Sequence, residues 1–386
     1  MNILFWEWKN FGKEDFIDAC KNMGHKITCI TNQLIHERNN NEFDELFEKT
    51  IADNSYDFIF TFNYSPIISN NCNKHHIKYV SWIYDSPLVT LYSYTIINPC
   101  NYVFIFDEAL FLDFKKEGIN TVFYLPLAVN TRRLDAMVPD KQTKDLFSSD
   151  VSYVGSMYNE KHNLFDRLKD ISPFTRGYLD GIMAAQLKIS GYFFIEEMLK
   201  DDILTDMLKS LEYTTNADGV ETPAYIYANY FIARKLAELE RKNLLGKISD
   251  QFNLKLYTHN PTPDLPNISN MGPIDYYNSM PYVFKCSKIN LNITLRSIRT
   301  GIPLRAIDIM GAGGFLLTNY QSDFFKYFVP NEDFVFFENE SDLINKCAYY
   351  LKHEDERLQI ANNGYLKIKE SHTYEKRIHE ILSIIF

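Results

Sequence analysis

Arg305 and Asp308 stand three positions apart in the run Thr300-Gly301-Ile302-Pro303-Leu304-Arg305-Ala306-Ile307-Asp308. On a helix that spacing puts both on one face. A guanidinium suits a phosphate and a carboxylate suits ribose hydroxyls, so the pair is the equipment of a nucleotide site. Pro303 suits the first helical position, where its missing N–H costs nothing. Gly301 lets the backbone ahead of the helix come close to a ligand. The free N–H groups and positive dipole end of a helix starting here form an anion site. Arg296 and Arg299 lie just upstream and can add positive charge. The plainer alternative is a helix-surface salt bridge between Arg305 and Asp308, worth about 0.3–0.5 kcal/mol.

Four further places carry candidate chemistry. Gly155-Ser156 ends a strand pattern and reads as a strand-to-helix turn that offers N–H groups to a phosphate. Tyr257-Thr258-His259-Asn260 ends another strand, at a carboxyl edge where such sheets bind ligands. His259 is a candidate for pyrophosphate or sugar, and equally a structural turn histidine. Asn292 and Thr294 end a third strand and are candidate ligand contacts. Asp85 follows Trp82-Ile83-Tyr84 and precedes Ser86-Pro87. It is the best acid/base or substrate-binding candidate, with a turn-forming Asp as the alternative. Gly12, after the first strand, would let the backbone approach a ligand. Asp107-Glu108 reads as a cap. Cys72, His75 and His76 fit no complete metal-ligand spacing. There is no D-x-D, P-loop, G-x-S-x-G or G-x-G-x-x-G.

Alternating elements must hold these residues in place. Strand patterns cover 2–8, 24–30, 56–62, 78–83, 102–106 and 121–126, with helix patterns at 13–23 and 42–50. Residues 139–149 are polar and charged, the composition of a linker. Strands resume at 150–156, 254–258, 288–293, 314–317 and 334–337. A helical stretch occupies 177–247, and helices at 341–352, 355–371 and 373–385 close the chain. Short apolar strands separated by helices imply parallel sheets covered on both faces. The expected class is α/β with two doubly wound domains.

Composition narrows the function. The chain has 386 residues, 46% hydrophobic and 23% charged, with formal net charge −10. That balance suits a folded enzyme and argues against nucleic-acid or anionic-membrane partners. Six scattered cysteines without a C-x-x-C pair point to a reducing cytoplasm. No segment approaches the roughly 20 apolar residues of a membrane span.

Five blocks in order resemble the CgeB-like (spore maturation) family of bacterial glycosyltransferases. They are Tyr79-Val80-Ser81-Trp82-Ile83-Tyr84-Asp85-Ser86-Pro87, Leu125-Pro126-Leu127-Ala128-Val129-Asn130, Asp150-Val151-Ser152-Tyr153-Val154-Gly155-Ser156, residues 301–319, and Ser371-His372-Thr373-Tyr374-Glu375-Lys376-Arg377. The resemblance implies the GT-B fold and kinship with group-1 transferases, that is, two Rossmann-like domains facing across a cleft. Residues 1–148 would hold the acceptor at Gly12, Asp85 and Ser86. Residues 149–372 would hold a nucleotide-sugar donor at Gly155, Ser156, Tyr257, His259, Asn292, Thr294, Arg296, Thr300, Gly301, Ile302, Pro303, Leu304, Arg305 and Asp308. Helix 373–386 would pack back on the first domain.

Group-1 relatives often carry two glutamates eight positions apart at this turn; here Thr300 and Asp308 occupy those positions. The implied activity moves a hexosyl or N-acetylhexosaminyl group from a nucleotide diphosphate sugar, with uridine as the expected base, to a glycan, glycoside or protein, with retention. Asp85 and His259 are the catalytic candidates. Without D-x-D, metal-free stabilisation by helix dipole, N–H groups and Arg305 is the consistent choice, and no cofactor is expected. The rivals are a nucleotide-sugar epimerase of the same fold and a non-catalytic sugar- or nucleotide-binding protein of surface or spore assembly.

Overall fold

Runs such as Phe58-Ile59-Phe60-Thr61-Phe62 are buried on both sides, so they favour central parallel strands over half-exposed ones. The structure, a computed structural model, describes residues 1–8, 11–52, 54–160 and 163–386. It divides into two compact units, one of residues 1–130, 215–221 and 372–386, the other of 131–214 and 222–371.

The first unit has six parallel strands: β1 (Asn2–Glu7), β2 (Lys26–Thr31), β3 (Phe58–Phe62), β4 (Tyr79–Trp82), β5 (Asn101–Ile105) and β6 (Val122–Tyr124). Their order is β2-β1-β3-β4-β5-β6, with Ile3 in register with Ile27 on one side and Phe58 on the other. Phe5, Phe16, Phe60 and Phe62 interlock edge-on and stacked beneath helix Lys13–Asn22. Helix Tyr374–Ile385 packs on that helix and buries Ile378, Ile381 and Ile385. Residues 215–221 join this unit through backbone bonds between Tyr94 and Asp218 and between Val220 and Tyr92. An Arg38–Asp218 ion pair of 2.9 Å reinforces them.

The second unit has β7 (Ser149–Val154), β8 (Leu254–Tyr257), β9 (Ser269–Asn270), β10 (Ser287–Asn292), β11 (Leu316–Asn319) and β12 (Val335–Phe337), all parallel, in the order β12-β11-β10-β7-β8-β9. One face buries Val151, Leu254, Leu256, Ile289, Leu291, Leu317 and Val335 against Leu245, Ile248 and Leu343. Among the described residues no strand lies between β7 and β8. Helices Pro173–Gln186, Asp201–Ser210 and Ala233–Ser249 fill the interval, the last continuing a π-helical turn at Tyr227–Ile232.

Three sequence expectations are corrected. The presumed linker contains helix Lys141–Phe147, capped by Asp140 accepting from the Thr143 N–H at 2.8 Å. Phe147 stacks on Tyr282, so residues 131–148 belong to the second unit's packing and not to the first domain. Gly155-Ser156 opens an irregular loop, not a helix. β9 is a two-residue polar edge strand that apolar periodicity cannot flag. No described helix is long and apolar enough to cross a membrane.

Candidate functional site

In the second unit the chain steps from β7 outward to β8 and β9, then returns to the other side of β7 with β10. Loops leaving neighbouring strands in opposite directions open a crevice at their carboxyl ends, the place where open α/β sheets bind ligands. That crevice lies between the residues following β7 (Gly155, Ser156) and those following β10 (Ile293, Thr294).

Its first wall is a stapled loop. The Asn260 side-chain oxygen accepts from the Met157 N–H at 2.7 Å and the Ser156 hydroxyl at 3.0 Å. The Ser156 hydroxyl in turn accepts from the Tyr158 N–H at 2.9 Å, and the Gly155 N–H bonds the Tyr257 carbonyl at 3.1 Å. The expected cluster of free phosphate-binding amides is therefore mostly spent. Among the described residues only the Ser156 N–H of residues 155–158 is left without a protein acceptor.

The second wall follows β10. The Asn292 amide donates to the hydroxyls of Thr294 and Thr318, both at 2.9 Å, and the Thr294 N–H donates to the Asn319 side chain at 2.8 Å. Gln321 holds the carbonyls of Ile298 and Gly301. The Asp323 N–H donates to the Thr300 carbonyl at 3.0 Å. Arg296 does not face a ligand as an isolated charge: Glu240 receives its Nη2 at 2.6 Å and its Nε at 3.2 Å. Ile302 and Pro303 are buried and Leu304 half-buried.

Helix Leu304–Gly311 starts one residue later than expected, with Pro303 as its extended N-cap. The Ala306 N–H already bonds the Pro303 carbonyl at 3.0 Å, which leaves the Leu304 and Arg305 N–H groups without an intrahelical partner. Arg305 lies over Phe284, its centre 5.7 Å from the ring centroid, beside the Met280 sulfur and 3.3 Å from Asp308. Asp308 is only 3% exposed and also accepts from the Tyr276 hydroxyl at 3.0 Å. The pair is thus formed, though not as a surface bridge. Asp308 is turned inward, where its carboxylate orients Arg305.

Two candidates on β8 separate. Tyr257 is buried against Phe147, and burial pushes its hydroxyl up to about 12. His259 is exposed at the tip of the β8 loop.

In the first unit Asn63 organises the acid. It adopts the left-handed region at the end of β3 (φ 60°), and its side-chain oxygen accepts the N–H groups of Tyr84 and Asp85 at 2.9 and 3.0 Å. Its amide donates to the Asp85 carboxylate at 2.7 Å. Crowding holds the Asp85 carboxyl above the usual range although solvent reaches the residue; the Asn63 bond opposes that shift. Ser86 is half-buried beside it. Gly12 has a different reason from ligand approach. At φ 82° it caps helix Lys13–Asn22, and any Cβ would collide with the Tyr374 hydroxyl, which lies 2.9 Å from that of Tyr84.

Sequence reading missed Glu7, Asn63, Glu240, Asn260 and above all Arg241. Arg241 donates to the Ser156 and Ile293 carbonyls, each at 2.7 Å, and so joins the two walls. A signal existed: Ala237, Leu244, Leu245 and Ile248 form the buried stripe of helix Ala233–Ser249, and Arg241 interrupts it at helical spacing. Among the described residues no three His, Cys, Asp or Glu side chains gather as a metal-ligand set.

Residues 231–383 match a family model described as "Glycosyl transferase-like". No curated protein sequence matches the chain. Among solved structures it is similar to sucrose-phosphate synthase from Thermosynechococcus elongatus (TM-score 0.56, 10% identity, 100% of this chain and 98% of that one). It is also similar to a glycosyltransferase from Rickettsia africae ESF-5 (0.54, 10%, 100% and 97%). A third is Anabaena Alr3699/HepE in complex with UDP and glucose (0.52, 12%, 100% and 100%). At these identities the likeness concerns the fold: two Rossmann-like α/β units of the GT-B type.

Proposed function

We propose that this protein is a glycosyltransferase that takes a sugar from a nucleoside diphosphate sugar, with the diphosphate at the crevice between β7 and β10. The observation that carries the reading is the glycosyltransferase-like match over residues 231–383, which includes β10 and the turn into helix Leu304–Gly311. The five blocks resembling CgeB-like proteins favour a group-1-related, retaining enzyme. UDP is the nucleotide we assign, in keeping with the UDP held by the Anabaena structure of the same fold. The acceptor is a glycan, a small glycoside or a protein side chain.

In this scheme the leaving diphosphate gains negative charge as the glycosidic bond breaks. The Leu304 and Arg305 N–H groups at the start of helix Leu304–Gly311, the Ser156 N–H and the Arg305 side chain meet that charge from fixed positions, without a metal. Asp308 and Tyr276 keep Arg305 in place. Asp85, held by Asn63, serves the acceptor hydroxyl as base. Its raised pKa brings it nearer to the working range of such a group.

A panel of UDP-, GDP- and TDP-sugars tests the reading through slow donor hydrolysis, measured as released nucleotide and free sugar. No hydrolysis and no binding across the panel would sink it. An epimerised sugar nucleotide would identify an epimerase, and binding without turnover a non-catalytic protein. Asp85→Asn is expected to lower turnover about 100-fold with donor affinity unchanged, the usual scale for a lost general base. In the wild type the rate falls as pH drops through the raised Asp85 pKa, where the carboxylate is protonated; in Asp85→Asn that limb disappears.

A further inference from the structure

A buried arginine ordinarily comes with a carboxylate, because an unpaired charge in the interior is costly. Three other buried or nearly buried arginines obey this. Arg296 pairs with Glu240, Arg377 with Glu380, and Arg357 lies 3.8 Å from Glu354. Arg241 does not. It is 6% exposed, and among the described residues no carboxylate lies within ion-pair distance.

The acids on its own helix are committed elsewhere. Glu240 holds Arg296 and Glu238 holds Lys235. Two carbonyl oxygens and two aromatic faces, Tyr158 at 4.8 Å and Tyr153 at 5.6 Å, surround the guanidinium, and its Nε–H has no acceptor. The two carbonyls belong to Ser156 and Ile293, the residues that begin the crevice on either side. Tyr153 feels Arg241 and Arg305 and also the Glu240 carboxylate, the acid that pairs with Arg296. A chain of net charge −10 has thus concentrated an uncompensated cation under the switch point of one sheet.

We propose that Arg241 is the cationic floor of this crevice, which joins the ends of β7 and β10 and makes the site prefer a nucleoside diphosphate to the uncharged nucleoside. The assignment rests on the nucleotide-sugar reading above. A dianion lodged between the Ser156 and Thr294 loops supplies the negative charge that no side chain provides. The desolvated setting strengthens the attraction, because little water lies between to screen it.

Calorimetric titration with UDP and with uridine tests this in the wild type, Arg241→Lys and Arg241→Gln. The wild type should prefer UDP. Arg241→Gln should lose about tenfold or more in UDP affinity while uridine binding stays within about twofold, the scale of one charge-assisted contact. Arg241→Lys should keep most of the preference. Equal losses for UDP and uridine in both variants would reduce Arg241 to a structural clamp and overturn its charge role. An unchanged UDP preference in Arg241→Gln would overturn it as well. If the wild type binds neither UDP nor GDP, the nucleotide-sugar reading itself falls, and this inference with it.

Should the Arg241 variants not fold, Tyr158→Asp and Tyr158→Asn give the same answer. Position 158 has φ 54°, which Asp and Asn tolerate. An aspartate beside the guanidinium should neutralise it and abolish the UDP preference, while asparagine preserves it. A preference that survives Tyr158→Asp would refute the proposal.

Discussion

Both units are six-stranded parallel sheets, but they differ in strand order, β2-β1-β3-β4-β5-β6 against β12-β11-β10-β7-β8-β9, and they treat their switch points differently. In the first, the carboxyl end of β1 is tied up by the chain's own groups. Glu7 at the end of β1 receives Lys13 and the Thr31 hydroxyl, the latter at 2.6 Å. The turn at Gly12 is pressed against Tyr374 of the closing helix. In the second, the walls are stapled to each other, yet among the described residues no carboxylate pairs with Arg241 beneath them. That contrast is what singles out the second unit for the anion site proposed above.

The largest expected effect comes from unbalancing the compensated arginine of the second unit. Glu240→Gln strands Arg296 and should lower unfolding free energy by about 3 kcal/mol, measured by urea denaturation. A loss below about 1 kcal/mol would mean that Arg296 is solvated, and the contrast with Arg241 would weaken.

In the first unit Gly12→Ala adds a side chain at φ 82° against the Tyr374 hydroxyl. It should cost about 2–3 kcal/mol, part conformational and part overpacking. Tyr374→Phe in the same chain should recover a portion, since the atom in the way is the hydroxyl. Additive effects in that cycle would show that Tyr374 is not what excludes a side chain there.

The smallest effect is a pH dependence. His372 is buried beside Arg377, and desolvation followed by the neighbouring guanidinium lowers its pKa to about 3. The folded protein therefore binds fewer protons than the unfolded chain between about pH 6.5 and 3. Stability from this site is complete above 6.5 and is lost progressively as pH falls, by about 2 kcal/mol near pH 5. His372→Gln should flatten that part of the curve; an identical pH slope would assign acid sensitivity elsewhere.

Much of the strand and helix order was legible, because parallel strands buried on both faces leave runs such as Phe58–Phe62 and turn residues punctuate them. The Thr300–Asp308 block was legible as well, since its glycine, proline and arginine act locally. Helical spacing makes Arg305 and Asp308 neighbours, as they are, but spacing says nothing of depth, and the burial of Asp308 comes from the packing around it. Gly12 was legible as a special backbone position and not as a contact, because Tyr374 lies far along the chain.

The amino-acid order alone therefore determined two doubly wound units, a net negative charge and a glycine-proline turn into a helix, all consequences of composition, periodicity and local backbone chemistry. Tertiary structure decided which charges are answered. Whether Arg296 meets Glu240, or Arg241 meets two carbonyls and no acid, depends on strand ends and helices brought together from distant sequence. Electrostatic compensation is a property of distance in space, and no spacing along the chain encodes it.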